Sequence, residues 1–183
     1  MSKQPIKIPL WKNRHTLSDK YAIIDAEDYD KVMEGCSRSK KWYAHFGGKG
    51  EEYTYAMSGS HYGMHRVIMD APKGMDVDHI NGDRLDNRKV NLRIATRSQN
   101  SQNKKLRSDS STGYKGVYEI KGRNLAKRFR ASIADQTTPA TNKRRTHLGY
   151  YATAEEAARA YDRAAIELYG KFAYTNFPIE DYL

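Results

Sequence analysis

Cysteine is almost absent from this chain. One residue, Cys36, stands among 183. That excludes an internal disulfide framework and any zinc site built on several thiolates, and Cys36 itself reads as a bystander. A reducing compartment is the natural setting. Long hydrophobic runs are missing too. Nothing approaches the roughly 18 apolar residues of a membrane-spanning helix. The opening Met1-Ser2-Lys3-Gln4-Pro5 lacks the apolar stretch of a secretion signal. The expectation is a cytoplasmic protein with no membrane partner. Apolar residues make up 38% of the chain, and the mean hydropathy is −0.89. Each core must therefore be small, and the length suits one ordinary domain or two small ones.

Negative charge is also scarce, though unevenly. The net charge is +10. Residues 1–50 carry +4, 51–100 carry none, 101–150 carry +9 and 151–183 carry −3. A positive field concentrated in one third of the chain favours a polyanion, with affinity that falls as salt rises. A solvated basic face is the alternative that charge alone leaves open.

Ile6 to Leu10 alternates at period two and suggests a strand. Tyr21 to Asp25 is a second apolar run. Asp25 to Glu34 reads as a short helix burying Tyr29, Val32 and Met33, and Gly35 stops it. Trp42 to Phe46 and Tyr53 to Met57 are β-favouring runs, and Gly47 to Gly50 between them suggests a hairpin turn. Ser101 to Gly113 is rich in Ser, Lys and Asn and reads as a helix end followed by a linker.

The most informative stretch begins at Val77. Asp78-His79 ends a short apolar run, and Asn81-Gly82 signals a tight turn. Leu85 and Leu92 pin the following loop. Asn91 and Asn100 then add two amides. A helix starting near Thr96 or Ser98 would bring Asp78 and Asn100 to one cation. Two oxygen ligands suit Mg²⁺ or Mn²⁺ better than zinc. Imidazole suits a general base, since its ordinary pKa lies near neutrality. A hard divalent cation and a base are what phosphodiester hydrolysis needs. Asn87 reads as a loop staple, His65 as packing within its apolar run, and Asn103 as a surface amide.

Residues 64–103 resemble an HNH endonuclease module of the phage homing type. The resemblance is carried by Met64-His65-Arg66, Val77-Asp78-His79-Ile80-Asn81-Gly82, Leu85-Asp86-Asn87-Arg88 and Asn91-Leu92-Arg93. It implies a ββα-metal fold, with His79 as the base that activates water. Asp78 and Asn100 would hold the single metal ion, and Asn91 would orient His79 through a hydrogen bond. The products would carry 5′-phosphate and 3′-hydroxyl ends. Asn100 stands where many HNH enzymes have histidine, which favours a magnesium-type site.

The C-terminal part has a cleaner pattern. Tyr114 to Ile120 is a strand candidate. In Lys127 to Ala134, alternation puts Phe129, Ala131 and Ile133 on one face and Arg128, Arg130 and Ser132 on the other. In Arg145 to Gly149, Leu148 faces in, while Arg145 and His147 face out with Gly149. Thr153 and Glu156 form a capping box. Ala154, Ala157, Ala158, Tyr161, Ala164, Ala165 and Leu168 make the apolar stripe of a helix that Gly170 ends. Residues 114–178 resemble the AP2 DNA-binding domain. Tyr114-Lys115-Gly116-Val117-Tyr118, His147-Leu148-Gly149-Tyr150-Tyr151 and Ala154 through Ala165 carry that resemblance. It implies a three-stranded antiparallel sheet in the DNA major groove with a helix behind it. Lys115, Tyr118, Arg128, Arg130, Ser132, Arg145 and His147 would then face DNA. The plant-type pattern has Glu near Ser132, Arg near Ala134 and Trp at His147, so the plant target sequence is not expected.

The expected class is α+β. The expected order is a nuclease domain over 1–107, a linker over 108–113 and a DNA-binding domain over 114–183. The expected function is a metal-dependent, site-specific DNA endonuclease acting on double-stranded DNA, with no protein partner implied. A monomer would nick, and a dimer assembled on DNA could cut both strands. A non-catalytic DNA-binding regulator is the rival reading, and a nuclease directed at RNA is a third.

Overall fold

The structure is a computed structural model. It describes residues 4–36, 39–47, 53–59, 62–104, 106, 110–122, 126–134 and 145–183. The packing divides the chain into two compact units, Met1–Asn100 and Ser101–Leu183. Residues 108–109 of the expected linker, and most of the expected turn at 47–50, lie outside the described residues. The α+β class holds.

The first unit is built on a five-stranded sheet in the order β2-β1-β3-β4-β5. Its strands are β1 (Ile6–Trp11), β2 (Leu17–Ile24), β3 (Trp42–Gly47), β4 (Tyr53–Ser58) and β5 (Tyr62–Gly63). Neighbours pair antiparallel except β1 with β3, which run parallel through Leu10 and Trp42. Helix α1 (Tyr29–Glu34) and helix α2 (Met64–Met69) accompany it. Leu10, Ile24, Val32, Trp42, Met64 and Ile68 are buried together. Tyr29, expected inside, is exposed, because α1 is too short to turn more than one residue of its stripe fully inward.

A two-stranded ribbon completes this unit. β6 (Asp76–His79) pairs antiparallel with β7 (Leu92–Ala95). Val77 and Leu92 join the same core as the large sheet. Alternation therefore sends one face of the ribbon inward and the other away from the core. Helix α3 (Arg97–Gln102) follows β7. Its start is tied by a reciprocal pair: the Gln99 N–H donates to Thr96 Oγ1 at 3.2 Å, and the Thr96 N–H donates to Gln99 Oε1 at 2.8 Å.

The second unit has β8 (Val117–Glu119), β9 (Phe129–Ala134) and β10 (Arg145–Tyr151) in the order β10-β9-β8, all antiparallel. Helix α4 (Ala154–Tyr169) covers one face. Its Thr153–Glu156 capping box is formed in both directions. Ala131, Ala157, Ala158 and Ala165 are completely buried, and such small side chains let helix and sheet approach closely. Gly116 shows how closely: a Cβ there would lie 2.0 Å from the Tyr161 ring.

Asp162 sits inside α4 with no exposed surface. Its carboxylate accepts from the Asn176 and Phe177 N–H groups, the Asn176 side-chain amide and the Tyr182 hydroxyl, all at 2.8–3.0 Å. Burial, reinforced by that bond to Asp162, pushes the Tyr182 hydroxyl up to about 12. One carboxylate thus holds the C-terminal segment onto the helix. Asp162→Ala strands several buried donors and is expected to cost about 3 kcal/mol or more. Urea unfolding of the full chain measures the loss, and proteolysis should then reach residues 174–183 first.

Candidate active site and nucleic-acid interface

The register of the ribbon decides what each motif residue meets. His79 pairs with Leu92 and shares the inward face with Val77. Only 5% of His79 is exposed. Its Nε2 lies 3.3 Å from Asn87 Oδ1. The Asn87 amide nitrogen donates to the Leu85 carbonyl at 3.1 Å, so Oδ1 is the acceptor and His79 donates from Nε2. In that tautomer Nδ1 carries the basic lone pair. Burial lowers the His79 pKa, against the opposing effects of the Asn87 bond and the Asp78 charge. Burial therefore favours the neutral ring.

His65, on α2, packs edge-on against His79 with ring centroids 5.2 Å apart, and Tyr55 lies 5.5 Å from it. A Cβ on Gly63 would lie 2.4 Å from the His65 ring, so only glycine leaves room for it. Burial first, then the repulsion that a second imidazolium beside His79 would meet and the Arg66 charge, lower the His65 pKa to about 3.

Asp78 occupies the other face, opposite Arg93. It is 5% exposed, and its Oδ2 accepts from Arg93 Nε at 2.8 Å and Nη2 at 2.6 Å. Asp76, two residues earlier on the same face, accepts from the Asn100 amide nitrogen at 3.0 Å. Asn100 was expected to meet Asp78. It meets Asp76 because Ala95 pairs with Asp76 and α3 begins just beyond it. Asp76, Asp78 and Asn100 are oxygen donors of the kind a hard divalent cation takes. Among the described residues, no group of three or more His, Cys, Asp or Glu is placed to hold a metal ion.

The loop between the ribbon strands is latched to β2. The Ile23 N–H donates to the Leu85 carbonyl at 2.8 Å, and the Asn87 N–H donates to the Ile23 carbonyl at 2.7 Å. Asn87 is fully buried as a result. Asn91 was expected to orient His79 directly. Instead its Oδ1 accepts from the Asn81 N–H at 2.9 Å and its Nδ2 donates to the Asp86 carbonyl at 2.8 Å. Asn91 shapes the loop, and Asn87 holds the ring. Leu85-Asp86-Asn87-Arg88 was the signal, but spacing does not say which amide reaches the imidazole. Asn103, expected at the surface, is buried.

On the second unit, strand pairing places Tyr118, Arg130 and Tyr150 on one sheet face with Ser132, His147 and Arg145. Arg130 and Arg145 lie over the Tyr118 ring, 5.4 and 5.2 Å from its centre. The His147 and Tyr150 rings meet tilted at 55°, their centroids 4.5 Å apart. Arg128 is exposed beside them. Two expectations change. Ser132 is only 5% exposed, and its hydroxyl has no partner among the described residues. Lys115 lies before β8, past the left-handed Gly116, outside the strand alternation. Its Nζ donates to the Gln102 carbonyl at 2.7 Å and sits 4.9 Å over Tyr174, and burial lowers its pKa to about 8. Tyr150 was missed. A bulge at Leu148 shifts the alternation, so Gly149 pairs with inward Ala131 and Tyr150 comes out.

Comparisons with known proteins follow the same division. A family model described as HNH endonuclease matches residues 62–102. An uncharacterised HNH endonuclease of Acanthamoeba polyphaga mimivirus is 33% identical over 139 residues, which cover 74% of this chain and 66% of that protein. Ethylene-responsive transcription factor 3 of Nicotiana tabacum is 43% identical over 67 residues, 37% of this chain and 30% of its own. Ethylene-responsive transcription factor LEP of Arabidopsis thaliana is 52% identical over 54 residues, 30% of this chain and 24% of its own. The chain thus spans about two thirds of the viral relative and less than a third of the plant factors.

The buried histidines give acid sensitivity of a definite sign. Unfolded His65 binds a proton near its ordinary pKa of about 6.5, whereas the folded ring resists it down to about 3. Stability is therefore fully present above about pH 6.5 and declines as pH falls from there towards 3. Thermal unfolding midpoints at pH 7.5 and pH 5 should show this decline, and His65→Gln should flatten it.

Proposed function

We propose that this chain, whose residues 62–102 match the HNH endonuclease model and which also carries an AP2-like segment, is a metal-dependent, site-specific DNA endonuclease of the homing type. The observation that carries this is His79, neutral by burial and donating from Nε2 to Asn87, a tautomer whose basic lone pair is on Nδ1, the atom that would take a proton from the attacking water. Asn91 serves the same end by shaping the loop that holds Asn87. β6 stops at His79, and the scissile phosphate would be received there, at the end of the strand.

Asp78 and Asn100, with Asp76 beside them, would hold the divalent ion, Mg²⁺ or Mn²⁺. The donors fit such an ion in kind: two carboxylates and an amide offer hard oxygens, and the ion would take the place on Asp78 that the Arg93 guanidinium holds. When bound, the ion supplies positive charge beside the scissile phosphate and the leaving 3′ oxygen. The products would then carry 5′-phosphate and 3′-hydroxyl ends.

A ββα-metal nuclease domain over 1–107, a linker over 108–113 and an AP2-like domain over 114–183 divide the work. The first cuts and the second supplies affinity and register on double-stranded DNA. Tyr118, Arg128, Arg130, Arg145 and His147 are the side chains proposed to face the major groove, the arginines towards guanine or phosphate. Arg130 and Arg145 share the Tyr118 ring, which supports a pre-arranged pair. A monomer would nick, a pair assembled on DNA would cut both strands, and the setting would be the cytoplasm.

The rival is a DNA-binding regulator that does not cut. Supercoiled plasmid separates the two. With Mg²⁺ the chain should relax or linearise it, EDTA should abolish this, and His79→Ala should lower the rate by about 10²- to 10⁴-fold. Binding to a cognate duplex with no strand breakage in Mg²⁺ or Mn²⁺ would establish the regulator.

A further inference from the structure

The first unit carries a cleft that the catalytic reading does not use. It encloses about 840 Å³, and its lining includes Lys12, Arg14, His15, Lys41, Tyr43 and His45. Among the described residues no carboxylate lines it, and Lys12, Arg14 and Lys41 take part in no ion pair. Elsewhere in this unit Lys31, Arg88, Lys89 and Arg93 are all paired with carboxylates. Lys12, Arg14 and Lys41 thus bring three charges outside any such pair to one concavity, whereas cations such as Lys7 and Lys73, likewise in no ion pair among the described residues, lie outside it.

The backbone that carries Lys12 and Arg14 is held in place, and so is the Lys41 side chain. After β1 the chain reverses over residues 12–16, where the Lys12 N–H donates to the Thr16 carbonyl at 2.9 Å. Asn13 Oδ1 accepts from the His15 and Thr16 N–H groups at 2.9 and 2.8 Å. Lys41 Nζ donates to the Arg14 carbonyl at 2.8 Å and rests 3.6 Å over the Trp11 ring. Lys41 therefore braces the reversal that presents Lys12 and Arg14, and little side-chain freedom remains for it to lose on binding.

We propose that this cleft is a second, sequence-independent nucleic-acid site, which takes the phosphodiester backbone of duplex DNA. It rests on the nuclease reading in one respect, the choice of DNA as the polyanion. Its size suits a stretch of backbone better than one phosphate, and it gives residues 1–50, with their +4 charge, a task. Such contacts position a duplex without reading its sequence.

The test is duplex binding by the full chain in EDTA, followed by fluorescence anisotropy over a range of salt. Lys12→Gln with Arg14→Gln should reduce the slope of log affinity against log salt by about 1.8, since each lost phosphate contact is worth about 0.9. Cognate and scrambled duplexes should weaken by the same factor. Lys12→Arg with Arg14→Lys keeps both charges and should keep the slope, which separates charge from folding. An unchanged slope in the neutral variant overturns the proposal. So does preferential displacement of the duplex by structured RNA of equal length, or by inorganic phosphate at millimolar concentration. The nuclease reading fails separately: a wild-type chain that never cuts removes that reading and leaves the slope result standing.

Discussion

A buried carboxylate needs a counter-charge, and a buried imidazole needs to stay neutral. Both conditions are met here by the register of one short ribbon. Pairing Asp78 with Arg93 and His79 with Leu92 gives the acid its cation and the imidazole its apolar wall. Slipping that pairing by one residue would turn every side chain to the opposite face. Asp78 would then meet the core and His79 would leave it. Val77 and Leu92 oppose such a slip, because both are anchored among the large sheet's buried side chains.

The ribbon's loop depends on a second anchor. Backbone bonds from Ile23 to Leu85 and Asn87 fasten it to a strand more than sixty residues earlier. That fastening buries Asn87 and brings its amide oxygen to the imidazole. Asp86, beside it, accepts from Arg88 Nε and Nη2 at 2.7 Å, which holds its carboxyl below the ordinary range. A constellation that reads as four spaced residues is in fact supported by a network that includes Asn87, Asp86, Arg93 and His65. The second unit is organised differently: on its sheet face Arg130 and Arg145 are braced by the Tyr118 ring and have no carboxylate partner among the described residues. Unpaired guanidinium groups stay available for an anion, whereas the paired ones in the ribbon do not.

The order and class of the elements were legible in the amino-acid sequence where local rules operate. Alternation marked β1 and β9, the Thr153–Glu156 pair marked the start of α4, and the apolar stripe of α4 marked its buried side. Asp78-His79 was legible as the end of a strand. The failures share one cause. Asn91 and Asn87 are four residues apart in the same loop, and only the latch to β2 decides which reaches His79. Lys115 and Ser132 both fit an outward pattern, yet one lies outside the strand and the other is buried. Tyr150 was hidden because one extra residue at the bulge reverses the alternation.

Residue chemistry and short-range periodicity were thus settled by the sequence alone: an imidazole next to a carboxylate, hard oxygen donors, a basic middle third, and strands and helices of definite order. Tertiary structure decided which atoms meet. It gave Asn100 to Asp76, Arg93 to Asp78, Asn87 to His79 and two arginines to one tyrosine ring. Periodicity is a property of neighbours along the chain, but these partnerships depend on register and on contacts between residues far apart in it. The pattern leaves that information open until the strands have paired.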